Sequence, residues 1–191
     1  MKKLILIAVL AFSQIGMAQD YFFRNDVTLG GAFTLGKMKS GGISVASEPK
    51  FFFNENIAVG ARLEADILFG GKVLGASEEI SVGMSSRVAI LGKGEYYFGE
   101  SNTKPYVGLN LGYYTQANIG ATGSGGASVS ASRGFGGAPE VGIAFGGFRL
   151  SAMYHMVPGK DIVNVSVGDA VEIGRSYFVV QLSFKTFQFG G

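Results

Sequence analysis

The chain has 191 residues with 31 glycines, no cysteine and no tryptophan, and it is 47% hydrophobic but only 16% charged. Charged residues fall well below the usual quarter and glycine stands at about twice its usual share, while the apolar content excludes intrinsic disorder. No apolar run of the roughly 20 residues that a membrane helix needs lies beyond the N-terminus, and the lack of cysteine removes disulfide frameworks, thiolate zinc sites and cysteine nucleophiles.

Residues 1–18 are laid out as a cleavable secretory leader: Lys2-Lys3, an apolar stretch from Leu4 to Phe12, then small residues ending Gly16-Met17-Ala18. Cleavage after Ala18 leaves one domain over residues 19–191. Loss of Lys2 and Lys3 from the 16 basic residues leaves 14 against 14 acidic ones. A neutral mature chain excludes nucleic acid as a partner, since phosphate backbones call for a surplus of Lys and Arg.

From there the dominant periodicity is two, the spacing of a strand with unlike faces. Val27, Leu29, Gly31 and Phe33 alternate with Asp26, Thr28, Gly30 and Ala32. Ile43, Val45, Phe51 and Phe53 share a face opposite Ser44, Ala46, Glu48 and Lys50. Ile57 to Phe69 interleaves an apolar row with Arg62, Glu64 and Asp66, and Ile80 to Ile90 opposes Ser81, Gly83, Ser85 and Arg87, continuing to Tyr96 and Phe98. Val107, Leu109, Leu111 and Tyr113 alternate with Tyr106, Gly108, Asn110, Gly112 and Tyr114. Phe135, Val141, Ile143 and Phe145 oppose Gly136, Ala138 and Glu140, and Phe148 to Met156 opposes Arg149, Ser151, Met153 and His155. The last strand sets Phe178, Val180, Leu182 and Phe184 against Tyr177, Gln181, Ser183 and Lys185. That is about eight strands, each near the nine to eleven residues that cross a bilayer at a tilt, with no competing helical period.

The connections alternate in length. Asn54 to Asn56, Gly99 to Lys104 and Gly146-Gly147 are short, whereas Lys37 to Gly41, Gly70 to Glu78, Ala117 to Arg133 and Pro158 to Gly174 are longer. Short turns on one rim and long loops on the other predict an all-β, eight-stranded, antiparallel, up-and-down transmembrane barrel with its short turns in the periplasm. A soluble lipocalin-like carrier would share the alternation. Three features favour the membrane. The polar face is rich in Gly, Ala and Ser, as a narrow lumen requires. Phe51, Phe53, Tyr96, Phe98, Phe145 and Phe148 form one prospective aromatic girdle, and Phe33, Phe69, Tyr113, Phe135, Tyr154 and Phe178 another. Lastly, a soluble barrel would have to expose Arg62, Glu64 and Asp66 together while showing few other charges. Pro49 and Pro139 fall inside strands, where bulges or strand ends are expected.

Lys104 to Tyr114, Val141 to Phe145 and Gln181 to Phe184 resemble the small bacterial outer-membrane β-barrel proteins, the OmpA, OmpX and OmpW-like group. The resemblance covers nearly all of the mature chain. It implies residence in the cell outer membrane among its lipids and lipopolysaccharide, and insertion by the barrel-assembly machinery. That machinery reads a terminal strand usually ending in an aromatic residue, whereas this chain ends Phe187-Gln188-Phe189-Gly190-Gly191.

The lumen is where charges converge. Strand counting places Glu48, Lys50, Arg62, Glu64, Arg87 and Glu140 at middle depth, with Asp66 higher and Glu95 and Lys185 lower. The expected arrangement is an internal salt-bridge network that plugs the barrel, because buried charges must be paired or hydrated. The alternatives are a narrow, porin-like conductance lined by those charges, or catalysis by opposed carboxylates such as Glu64 and Glu140. His155, the only histidine, is expected inside near the outer end of its strand. Some small outer-membrane barrels hydrolyse lipid A with a histidine at that level, but Ser151 lies one pleat too deep to be its evident nucleophile, and Asp161, Asp169 and Glu172 lie in a loop. No cofactor or metal site is expected from one histidine and scattered carboxylates. Gly123-Ser124-Gly125-Gly126 lacks the lysine and strand-to-helix context of a phosphate loop and reads as a surface loop tip. The sequence therefore predicts a non-enzymatic barrel with a structural or interaction role, presenting its loops to the exterior or its wall to a protein partner in the membrane.

Overall fold

A computed structural model describes residues 22–34, 38–73, 81–121, 127–164 and 170–190; the leader read at residues 1–18 and the loop tip at 123–126 lie outside them. The period-two segments form strands β1 (Phe22–Thr34), β2 (Met38–Phe52), β3 (Ile57–Val73), β4 (Ser81–Tyr97), β5 (Thr103–Ala121), β6 (Ala127–Phe145), β7 (Phe148–His155), β8 (Lys160–Asn164), β9 (Ala170–Gly174) and β10 (Tyr177–Phe189). Eight of them close a barrel in the order β1-β10-β7-β6-β5-β4-β3-β2, and every pairing is antiparallel. Closure pairs β1 with β10 from Phe23↔Phe189 to Thr34↔Tyr177, which leaves no sheet edge along that seam.

The strands run longer than a bilayer crossing requires. β5 and β6 have 19 residues each and pair from Thr103↔Phe145 to Ala121↔Ala127, so most of the stretch from Ala117 to Arg133, expected as a loop, is strand. Likewise β3 continues to Val73. The stretch from Pro158 to Gly174 contains the separate two-stranded sheet β8–β9, with Val163 opposite Val171. Gly, Ser and Ala carry no strand preference of their own, so these extensions follow from cooperative pairing with the strand beneath. The turns at the other rim are short: Gly146-Gly147 joins β6 to β7, and φ of 59° at Gly146 is the conformation a type II′ hairpin needs at its first central residue.

Neither internal proline carries a bulge. Pro49 keeps its register opposite Asn25, while the β2–β3 ladder lapses between Ser47↔Leu63 and Lys50↔Gly60 and resumes unshifted. Pro139 keeps its register opposite Leu109, while the β6–β7 ladder stops at Glu140↔Met153 and returns as a single bridge, Gly137↔Met156. A proline lacks one donor and so weakens the ladder on one side only; the intact side holds the register. The register shifts lie instead at Asn25/Asp26 in the β1–β10 pairing and at Lys39/Gly41 in the β2–β3 pairing.

Side chains sort by face as strand parity requires. Leu29, Leu63, Ile90, Leu109, Val141 and Leu150 point outward, and Leu29 is 54% and Phe135 65% exposed. The aromatic residues of both girdles lie on this outer face, with paired rings at Tyr96–Phe98 (4.9 Å) and Phe148–Phe184 (5.4 Å) near the short-turn rim. Arg62, Glu64, Asp66, Glu140 and Arg149 are buried inside. An apolar exterior around a charged interior is the reverse of a soluble barrel, and it is stable only where hydrocarbon replaces water outside. The molecule is therefore an eight-stranded β-barrel of the outer-membrane type.

Candidate functional site: the charged lumen

The lumen is filled in three tiers. At the short-turn end Phe22 stacks on Phe52 (4.3 Å between centroids), Phe52 meets Tyr97 (5.7 Å) and Tyr97 stacks on Tyr106 (5.0 Å). The Tyr106 ring lies flat against Gly142, where a Cβ would come within 2.6 Å of it. That close approach directs the phenol, which donates to Glu140 Oε1 (2.7 Å).

The middle tier holds most of the charge. Glu48 accepts from Lys50 (3.1 Å), Lys93 (3.0 Å), Arg149 (2.7 Å) and Arg62, so four cations from four strands meet at one carboxylate. Glu95 is shared by Lys50 (3.3 Å), Lys93 (2.9 Å) and Arg149 (2.8 Å), and it also accepts the Tyr97 hydroxyl (2.8 Å). Glu140 pairs with Lys93 at 2.8 Å. Asp26 takes Arg24 (2.6 Å) and Lys50 (2.7 Å). Arg62 also donates to Glu64 and to Gln181 Oε1 (2.6 Å), and Gln181 in turn donates to Ser151 Oγ (3.0 Å). Removing such charges from water costs several kcal/mol per ion in general, a cost met only where each keeps several partners.

The upper tier is largely aromatic. His155 stacks on Tyr177 (4.2 Å, 9° between planes), its Nδ1 lies 3.1 Å from the Tyr114 hydroxyl and its Nε2 3.4 Å from Glu64 Oε1. The Tyr177 hydroxyl sits between two carboxylates, 2.7 Å from Asp66 Oδ2 and 3.0 Å from Glu64 Oε1. The Arg87 guanidinium covers the other region of Tyr177 at 4.3 Å from the ring centroid, and its Nε donates to Gln116 Oε1 (3.0 Å).

Of the residues singled out from the sequence, Glu48, Lys50, Arg62, Glu64 and Glu140 meet in one connected set. Arg87 is directly opposite Asp66 in the β3–β4 register, so it shares the upper tier and not the middle one. Lys185 is solvent-exposed, with Nζ 3.4 Å from Gln188 Oε1, because β10 there has passed beyond the end of β7. Four buried charges escaped the sequence reading: Arg24, Asp26, Lys93 and Arg149. Parity held the signal for all four, since Arg24, Asp26 and Arg149 stand on faces already read as inner and Lys93 lies between Arg87 and Glu95 in step with both. With them, the buried set among the described residues comprises six basic side chains against six acidic ones, besides His155. The formal charges of these twelve side chains sum to zero.

No family model and no curated protein matches the chain. Solved structures do. The chain is similar to Neisserial surface protein A (NspA), with 16% identity over 86% of this chain and 96% of that one and a TM-score of 0.47. It is also similar to Ail, the attachment invasion locus protein of Yersinia pestis, with 11% identity over 90% of this chain and all (100%) of the other and a TM-score of 0.45. A third likeness is to the N-terminal β-barrel domain of Pseudomonas aeruginosa OprF, at 12% identity over 90% of this chain and 98% of the other, with a TM-score of 0.40.

Proposed function

We propose that the chain resides in the cell outer membrane as a non-enzymatic barrel with a closed lumen, acting through the surfaces it presents to the membrane and at its long-loop rim. The observation that carries this reading is the neutral network centred on Glu48. Glu48 and Arg62 are both 0% exposed, which supports a lumen filled at mid-depth by its own paired side chains. A conducting pore of this width requires hydrated, unpaired charge along its path, whereas here the charges bind one another. The outer face meets outer-membrane lipids and lipopolysaccharide, and insertion proceeds through the barrel-assembly machinery.

A hydrolytic role for His155 has little support. Its ring is fully buried and its Nδ1 faces a phenol, while the Ser151 hydroxyl is engaged by Gln181. Nucleophilic catalysis needs the hydroxyl and the imidazole in mutual contact and within reach of substrate.

Planar-bilayer recording tests the closed lumen. The wild-type barrel is expected to show no discrete conductance, and Arg62→Ala and Glu140→Ala to admit small, irregular currents as the network loosens. Stable unitary openings in the wild type would overturn the reading in favour of a narrow channel. Identical lipid A profiles from cells with and without the protein are expected, and a profile altered by the wild type but not by His155→Gln would establish an enzyme instead.

A further inference from the structure

The wall has a weak seam between β6 and β7. In an antiparallel ladder every second pair of residues exchanges both N–H···O bonds. The bridge Gly137↔Met156 is such a pair, with Gly137 N donating to Met156 O (3.1 Å) and Met156 N to Gly137 O (2.8 Å). The register of the ladder below it puts the neighbouring pairs of this kind at Pro139 with Tyr154 and at Phe135 with Pro158. A proline occupies each, so the bridge stands between two pairs that both lack a donor. Among the described residues, β6 carries no ladder on this side from Ala127 to Gly136, although its other side pairs with β5 along that whole length.

The backbones are still neighbours at Pro158, whose carbonyl oxygen lies 4.0 Å from where a Cβ of Gly134 would stand. Beyond that point β8 pairs only with β9. Carried on without insertion or deletion, the β6–β7 register sets Arg133 opposite Lys160, Ala131 opposite Ile162 and Val129 opposite Asn164. The chain thus holds a strand in register for the free edge of β6, and the separation begins at the junction of β7 and β8. Gly159 stands at that junction with φ of 105°, a conformation that residues with a side chain rarely adopt.

We propose that β8 and β9 form a strap hinged at Gly159, which moves between the separate two-stranded sheet and a closed position in which β8 zips onto the free edge of β6. Closure continues an established ladder and returns open backbone N–H and C=O groups to hydrogen bonds. The position of the strap decides whether the long-loop rim presents an open strand edge, the kind of surface on which extended segments of other chains add. The inference stands on backbone register and is independent of whether the lumen conducts.

The absence of cysteine from the chain makes cross-linking a clean test. In the closed position the Cα atoms of residues 131 and 162 come about 5.5 Å apart, within disulfide reach, whereas residues 131 and 164 are diagonal neighbours about 7–8 Å apart. With the full chain folded in a non-ionic detergent, Ala131→Cys/Ile162→Cys is expected to oxidise to the intramolecular disulfide at least tenfold faster than Ala131→Cys/Asn164→Cys. Equal rates, or no disulfide in either, would overturn the strap. Gly159→Ala penalises the positive φ of the hinge, and the Arg175 side-chain end that its Cβ meets at 2.8 Å can swing aside. It should raise the in-register rate about tenfold. Amide hydrogen exchange reads the same equilibrium without cysteines. Ala131 and Arg133 share the edge orientation of Gly137, so their amides are expected to exchange readily in the wild type and about tenfold more slowly in Gly159→Ala. Exchange at these two amides that is unchanged in the folded variant, as judged by heat-modifiable gel migration, would also overturn the hinge.

Discussion

The two halves of the lumen solve the same problem by different chemistry. In the middle tier every carboxylate is held by cations from other strands, with Glu48 and Glu95 bound by Lys50, Lys93 and Arg149 in common. In the upper tier, by contrast, Asp66 faces the hydroxyl of Tyr177, which it shares with the Arg62-bound Glu64, and the rings of Tyr114, His155 and Tyr177 occupy much of the space. Ion pairs bind strongly but demand that all partners be present, while a phenol satisfies a carboxylate with one proton and brings apolar bulk with it. The difference places the rigid closure low in the barrel.

The comparison breaks most readily at Glu48. Glu48→Ala removes the acceptor shared by four cations, and breaking a buried network of this kind costs about 3–5 kcal/mol. The expected outcome is a large fall in the urea concentration at which the folded, heat-modifiable form is lost in lipid vesicles. An effect of the size seen for surface residues would show that water hydrates the middle tier and that the charges are not mutually dependent.

Tyr177→Phe addresses the upper tier. It keeps the stack on His155 and removes only the hydroxyl between Asp66 and Glu64, so the cost is about 1–3 kcal/mol, below that of Glu48→Ala. The same urea titration orders the two variants, and equal costs would erase the distinction between the tiers.

The smallest effect belongs to the short-turn rim, where Lys104 Nζ lies 2.8 Å from Glu55 Oε2 in water. The hydrogen bond and the charge of Lys104 hold the Glu55 carboxyl below the usual carboxylate range. A depressed value in the folded state means that the stabilisation is present above the ordinary carboxylate pKa and is lost as pH falls through the depressed one. Exposed pairs contribute little, so Glu55→Gln should leave the unfolding midpoint at neutral pH unchanged. NMR titration of the Glu55 side chain should show its lowered midpoint rising to the ordinary value in Lys104→Met.

How far the sequence reached is clearest at particular residues. Arg62, Glu64 and Asp66 were legible as inner residues because the apolar row from Ile57 to Phe69 flanks them without a break. Asp26, Lys93 and Arg149 carried the same parity, but parity gives a face and not a partner: Asp26 shares its face with Arg24 and Lys93 with Arg87 and Glu95, and nothing local shows which of them meet. The loops were least legible. The stretch from Ala117 to Arg133 has no strand pattern, yet β5 and β6 extend through most of it because the hairpin below supplies the register.

What the sequence determined alone is the face of each residue. Alternation of side chains along an extended backbone is a local property, fixed by two dihedral angles per residue, so parity survived every error in loop length. What only the tertiary structure decided is which inner residues meet. Glu48 and Arg149 stand 101 positions apart and touch at 2.7 Å. Contacts across a lumen depend on the stagger of all eight strands, set when β1 closes on β10, and that stagger is a property of the whole ring.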